Sequence, residues 1–144
     1  MRLIACLLIV VASLGASEER FVKRFDDAMD VLKRGADRTL EQGVVEASRI
    51  LVEGGAVPPA AVEGALRTLL EADGPVVRWD RLGDREFGSH AQVFYVLVVF
   101  ERGVAFARVV AAKTKTDQTI IASITIQVDP VGILPEAMLL PDAR

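Results

Sequence analysis

Acid–base and nucleophilic chemistry needs a few side chains held close together, and this 144-residue chain offers few of them. His90 is the only histidine. One imidazole with scattered carboxylates does not supply the three or four ligands that a zinc site needs, so no metal is expected. Cys6 is the only cysteine and lies in an apolar N-terminal run, which leaves the body of the chain without a thiol nucleophile or a disulfide. The G-x-S-x-G elbow, the G-x-G-x-x-G turn and the P-loop are all missing.

The remaining clusters are weaker. Asp26, Asp27 and Asp30 share a helical stretch, and Lys23 stands one turn before Asp27, which reads as an i,i+4 pair on a wet face. Asp80, Arg81, Asp84, Arg85 and Glu86 surround Gly83 and read as a solvated hairpin end. Trp79, the sole tryptophan, is expected to pack. Tyr95 is the sole tyrosine. A steroid-isomerase-type site would want a buried Tyr donor, an acidic partner and a carboxylate base, and no strand position opposite Tyr95 offers an acid. No catalytic residue and no cofactor is therefore expected, and the balance leans away from an enzyme.

The elements that position these residues begin after a leader. Arg2 precedes an uncharged run from Leu3 to Leu14, too short for a membrane span of about 20 apolar residues. Small residues follow at Ser13, Gly15, Ala16 and Ser17, and then the charges of Glu18, Glu19 and Arg20. Residues 1–15 thus read as a cleavable signal peptide, cut after Gly15 or Ser17, that exports the chain to the periplasm or beyond. All 20 acidic residues follow the leader and one of the 17 basic residues, Arg2, lies within it, so the mature chain carries a net charge of −4. Mild acidity with interspersed signs argues against nucleic acid and against anionic membrane surfaces. No membrane insertion is expected after cleavage.

Residues 18–135 read as one domain, with 136–144 as a tail. Ser17 suits an N-cap, and Phe21, Phe25, Ala28/Met29 and Leu32 form a helical stripe closed by Gly35. Asp37 is expected to cap a second helix with Leu40, Val44, Ala47 and Leu51 inward, ending at Gly54-Gly55. Pro58-Pro59 opens a third, with Val62, Leu66 and Leu69/Leu70 inward, closed by Gly74-Pro75. The period then changes to two. Strands are expected over Val76–Leu82, Ser89–Glu101, Val104–Lys113 and Thr119–Asp129, with Arg102-Gly103 as a two-residue hairpin loop. After Pro130 the three spaced prolines predict an extended tail, with Ile133, Leu134, Met138 and Leu139 packed on the body. The fold class is α+β: three N-terminal helices on one face of a twisted four-stranded antiparallel meander.

Pairing Glu101 with Val104, and Thr114 with Thr119, sorts the strand residues onto two faces. Phe94, Val96, Val98, Phe100, Ala105, Ala107, Val109, Ala111, Ala122, Ile124, Ile126 and Val128 form an apolar face for the helices. The opposite face carries Tyr95, Leu97, Val99, Phe106, Arg108 and Thr125 with Ser123 and Gln127. It is too apolar for water alone and too polar for a dry core, which marks these first six as interface candidates for a homodimer or an envelope protein, with Arg108 as a polar anchor. The competing expectation is that the tail folds back and covers the patch.

Gly74-Pro75, Arg81-Leu82-Gly83-Asp84-Arg85, Tyr95 in an apolar strand, Glu101-Arg102-Gly103 and Asp129 together resemble small exported bacterial proteins of the nuclear-transport-factor-2-like, cystatin-like α+β roll superfamily. The resemblance covers residues 18–135. One departure is that Gln118 to Ile121 holds no aromatic where such proteins carry one. The class implies a cone-shaped cavity between helices and concave sheet, used by different members for ligands, for isomerase or dehydratase chemistry, or for dimerisation, and fold alone does not choose among these. Two readings follow: an exported non-catalytic binding or interaction module that dimerises through the outer sheet face, or a small-molecule enzyme or lipophilic-ligand carrier that uses the cavity. Intact-mass spectrometry of protein recovered from a secretion-competent host should show the loss of residues 1–15 or 1–17, and a full-length mass would contradict the leader.

Overall fold

The structure, a computed structural model, describes residues 22–34 and 39–139. The leader, Ser17, Phe21, Gly35, Asp37 and Pro141 lie outside the described residues. Residues 22–33 are helical (α1) and bury Phe25, Ala28, Met29 and Leu32, the expected stripe. On its wet side Lys23 Nζ meets Asp27 Oδ2 at 2.7 Å.

The second helix, α2, spans Leu40–Val52, and its N-cap is Thr39 instead of the expected Asp37. The Thr39 hydroxyl accepts from the Gln42 N–H, and the Gln42 side chain accepts from the Thr39 N–H. Only Thr39 has such a reciprocating residue three positions on, since Leu40 would stand there for Asp37. Helix α3 spans Pro59–Asp73, opens at Pro58-Pro59 as the sequence indicates, and stops at Gly74. Arg67 of α3 forks onto Glu41 of α2 at 2.7 Å, an exposed pair that orients more than it stabilises.

Four strands follow, β1 (Val76–Phe87), β2 (Ala91–Phe100), β3 (Val104–Lys113) and β4 (Thr119–Gln127), in sheet order β1-β2-β3-β4 and antiparallel throughout. The expected end of β1 at Leu82 is corrected. The strand continues through Gly83, with an extra residue inserted between Arg81 and Gly83, and turns only at Gly88, whose φ is 63°. Gly83 is thus a bulge glycine, and the Asp80–Glu86 cluster lies along a strand instead of around a hairpin end.

The β2–β3 register is also corrected. Val99 pairs with Val104 and Tyr95 with Arg108, two positions from the expected partners. The turn sits on Glu101-Arg102, and the Phe100 N–H donates to Gly103 O at 2.8 Å. A two-residue shift conserves the faces, because side chains alternate with period two. In β3–β4 the pairing holds from Gln127 to Ser123, and then a shift between Val110 and Ala111 leaves Ala122 without a partner. Ile121 therefore takes the buried position expected of Ala122, at 1% exposure, and Ala122 is exposed.

Phe94, Val96, Val98, Phe100, Ala105, Ala107, Val109, Ala111 and Ile121 join the apolar faces of the three helices in one core. Val93, Tyr95 and Ile133 are also buried, but outside that core. The tail explains them. After β4 it forms turns at residues 131–134 and a four-residue helix α4, Glu136–Leu139, in place of the extended run expected. A Cβ at Gly132 would lie 2.8 Å from Gln127 Oε1, and one at Gly83 would lie 2.7 Å from Met138 Cε. The tail therefore runs back across the outer face from β4 to β1, and Gly83 opens room for Met138 beside Tyr95.

One core group is out of balance: the Ser48 hydroxyl in α2 is wholly buried with no hydrogen-bond partner. Ser48→Ala should raise unfolding stability by about 0.5–1.5 kcal/mol, from relief of an unsatisfied hydroxyl and better helix propensity. Chemical denaturation would measure it, and a loss of stability would show that the hydroxyl has a partner.

Candidate ligand-binding cleft

Asp26, Trp79, Arg81 and Asp84 gather where α1 meets β1 and β2. Trp79 pairs with Val98 and Arg81 with Val96, so both point to the helix side of the sheet. On α1, Asp26 lies four residues after Val22 and next to Phe25, at the border of the apolar stripe. The Trp79 Nε1–H donates to Asp26 Oδ1 at 2.6 Å and bridges helix and sheet. Because the acceptor is a carboxylate oxygen and the pair is half-buried, this bond is stronger than an ordinary surface contact.

Beside this bridge lies a cleft of about 240 Å³, lined by Val22, Phe25, Asp26, Trp79, Arg81, Phe94 and Val96. The walls are mostly apolar and three of them are aromatic. The Arg81 guanidinium stacks over the Phe94 ring, 4.7 Å from its centre, and pairs with Asp84 at 3.0 Å. Asp84 in turn accepts from Gln92 Nε2 at 2.9 Å. Phe94 faces Asp84 across β1–β2, and Gln92 faces Glu86, so this polar chain rims the cleft on the helix side of the sheet.

The cleft draws together residues that the sequence placed apart. Asp26 was assigned with Asp27 to a wet face, and Arg81 and Asp84 to a hairpin end. Asp27 does stand on the wet face, but Asp26 turns inward to Trp79. The signal was there: an acid at the edge of an apolar stripe and a tryptophan in phase with Val98. What was missing was the register of β1 on β2, with its shift between Val76 and Arg78, and its continuation to Asp84.

His90 takes no part in the cleft, because it sits exposed in the β1–β2 turn. Tyr95 pairs with Gly83 and Arg108 on the outer face, so the sheet separates it from Asp26. Among the described residues no group of three His, Cys, Asp or Glu side chains could hold a metal.

The interface candidates form rows across the outer face. Gly83, Tyr95, Arg108 and Thr125 make one row, and Asp80, Leu97, Phe106 and Gln127 the next, with Val99 and Val104 beyond at the hairpin end. Tyr95 is 7% exposed in the row that the tail crosses, while Leu97, Val99, Phe106, Arg108 and Thr125 are half-buried. Among the described residues no helix is long and apolar enough to cross a membrane.

No known protein family, curated protein or solved structure matches the chain. Trp79→Phe removes the indole donor and part of the cleft wall, and should cost about 1–3 kcal/mol in a denaturation curve followed by circular dichroism. An unchanged midpoint would mean that the bridge to Asp26 does not hold α1 on the sheet.

Proposed function

We propose that this domain is an exported, non-catalytic binding module that holds a small ligand in the cleft between α1 and the sheet. The observation that carries the reading is the cleft itself: an apolar, aromatic-walled recess with a few convergent polar groups, the composition typical of ligand sites. Its volume lies just below the usual range of about 300–1,000 Å³, which suits a small molecule or one side chain of a larger partner. The cleft lacks the histidine and the tyrosine, and its one carboxylate bridging to the sheet, Asp26, already accepts from Trp79. Export rests on the leader pattern of residues 1–17, and the three-helix, four-strand order supports the likeness to the nuclear-transport-factor-2-like roll.

A second reading places a homodimer or an envelope partner on the outer face. What favours it is the apolar group beside the tail, where Leu97, Val99 and Phe106 are half-buried and Val104 is 40% exposed. The tail already occupies the Tyr95 row, so the surface left open is smaller than the sequence suggested.

Trp79 is the sole tryptophan, so its emission reports on the cleft directly. Titration with phenethyl alcohol should shift that emission to saturation. Val22→Phe, which fills the recess from α1, should weaken binding about tenfold, the equivalent of roughly 1.4 kcal/mol of apolar contact. A linear, unsaturable response in the native protein would refute the cleft as a binding site.

A further inference from the structure

The geometry points to a small organic cation, an ammonium on an apolar body, as the occupant of the cleft; this rests on the reading of the cleft as a ligand site. The charges that face the recess are Asp26 on α1 with Arg81 and, at the rim, Asp84 on β1. Arg81 and Asp84 neutralise one another at 3.0 Å. Asp26 has the neutral Trp79 indole as its hydrogen-bond partner, and no described cation pairs with it. Among the described residues the site therefore carries one unbalanced negative charge at the edge of a low-dielectric recess, where attraction for a cation is stronger than in open water.

The walls favour the same ligand. Phe25 and Trp79 line the recess, and such rings attract a cation through their quadrupoles, tryptophan most strongly. The Phe94 face already holds a cation, the Arg81 guanidinium. An anion meets the opposite situation. The unbalanced Asp26 repels it, and the Trp79 N–H that would have greeted it is donated to Asp26.

Size sets the apolar body. A cavity of about 150 Å³ accepts benzene, so a recess of about 240 Å³ takes roughly nine or ten non-hydrogen atoms. An aromatic ring with a two-carbon ammonium arm fits that limit. The ring would lie against Val22, Phe25 and Val96, and the ammonium would reach the Asp26 carboxylate.

The test uses three ligands that share a phenyl ring and fall within that size, phenethylammonium, phenethyl alcohol and phenylacetate, each titrated against the native protein with Trp79 emission as the readout. The ammonium should bind about tenfold tighter than the alcohol, and the carboxylate should bind weakest. The margin should shrink as salt rises from about 20 mM to about 500 mM, because screening weakens an ionic contact and spares an apolar one. Asp26→Asn should erase the margin. If that variant fails to fold, the salt series on the native protein decides alone. Equal binding of ammonium and alcohol, or tighter binding of the carboxylate, would overturn the cationic ligand and leave the cleft as a binding site. No response to any of the three would overturn both.

Discussion

The register of the β2–β3 hairpin is the constraint on which the rest of this molecule depends. It decides that Phe94, Val96 and Val98 meet the helices while Tyr95, Leu97 and Val99 face away. A slip of one residue would exchange the two sets and bury Arg108 in the core. The hairpin is fixed from outside the sheet, by the end of α3. The Arg102 N–H donates to Asp73 O at 2.8 Å, and the Glu101 N–H to Pro75 O at 3.1 Å. The Arg102 guanidinium also donates to Ala72 O at 3.1 Å. Carbonyls at a helix C-terminus lack partners within the helix, so a cationic donor there satisfies a need and complements the helix dipole. One latch thus caps a helix, centres a turn and assigns the faces of the sheet.

The two faces then meet different fates. On the helix side, β3 contributes Ala105, Ala107 and Ala111, small residues that let the helix layer come close. At the β1–β2 edge the inward residues are Trp79, Arg81 and Phe94, larger and in part polar. A helix over such a row cannot settle as deeply, and α1 is held there by the Trp79–Asp26 bridge over the cleft. The cleft is thus a consequence of unequal side-chain size along one face. On the outer side, the chain's own tail supplies the cover for Tyr95 and Val93, and the bulge glycine Gly83 makes room for it.

Much of the architecture was legible in the residues, and the failures have identifiable causes. The three helical stripes, apart from Leu40, which was expected inward and stands exposed at the start of α2, the Pro58-Pro59 start, the Gly74 stop and the change of period after Pro75 all lie in local patterns. The errors arose where two local signals competed. Gly83 looked like a turn, but the pairing of β1 with β2 carried the strand past it, and Gly88 made the turn. Ala122 fitted the alternation, but a bulge gave its place to the larger Ile121. Asp37 has the right side chain for a cap, but Thr39 has a glutamine at the reciprocating position and caps α2. The cleft could not be read, because it joins residues 22–26 to residues 79–96 through a helix crossing that no local pattern encodes. The pairing of β1 with β2, with its shift between Val76 and Arg78, puts Trp79 and Arg81 in phase with Val98 and Val96, and the site becomes visible.

The central claim is that the recess under α1 is where this domain binds. The most direct measurement is the resonance of the single indole N–H, that of Trp79, in a proton–nitrogen correlation spectrum of the labelled protein during titration with phenethylammonium. The account predicts that this peak moves and saturates together with the amides of Val22, Phe25 and Phe94. An indole peak that stays in place, with shifts confined to Leu97, Val99 and Phe106 on the outer face, would contradict it.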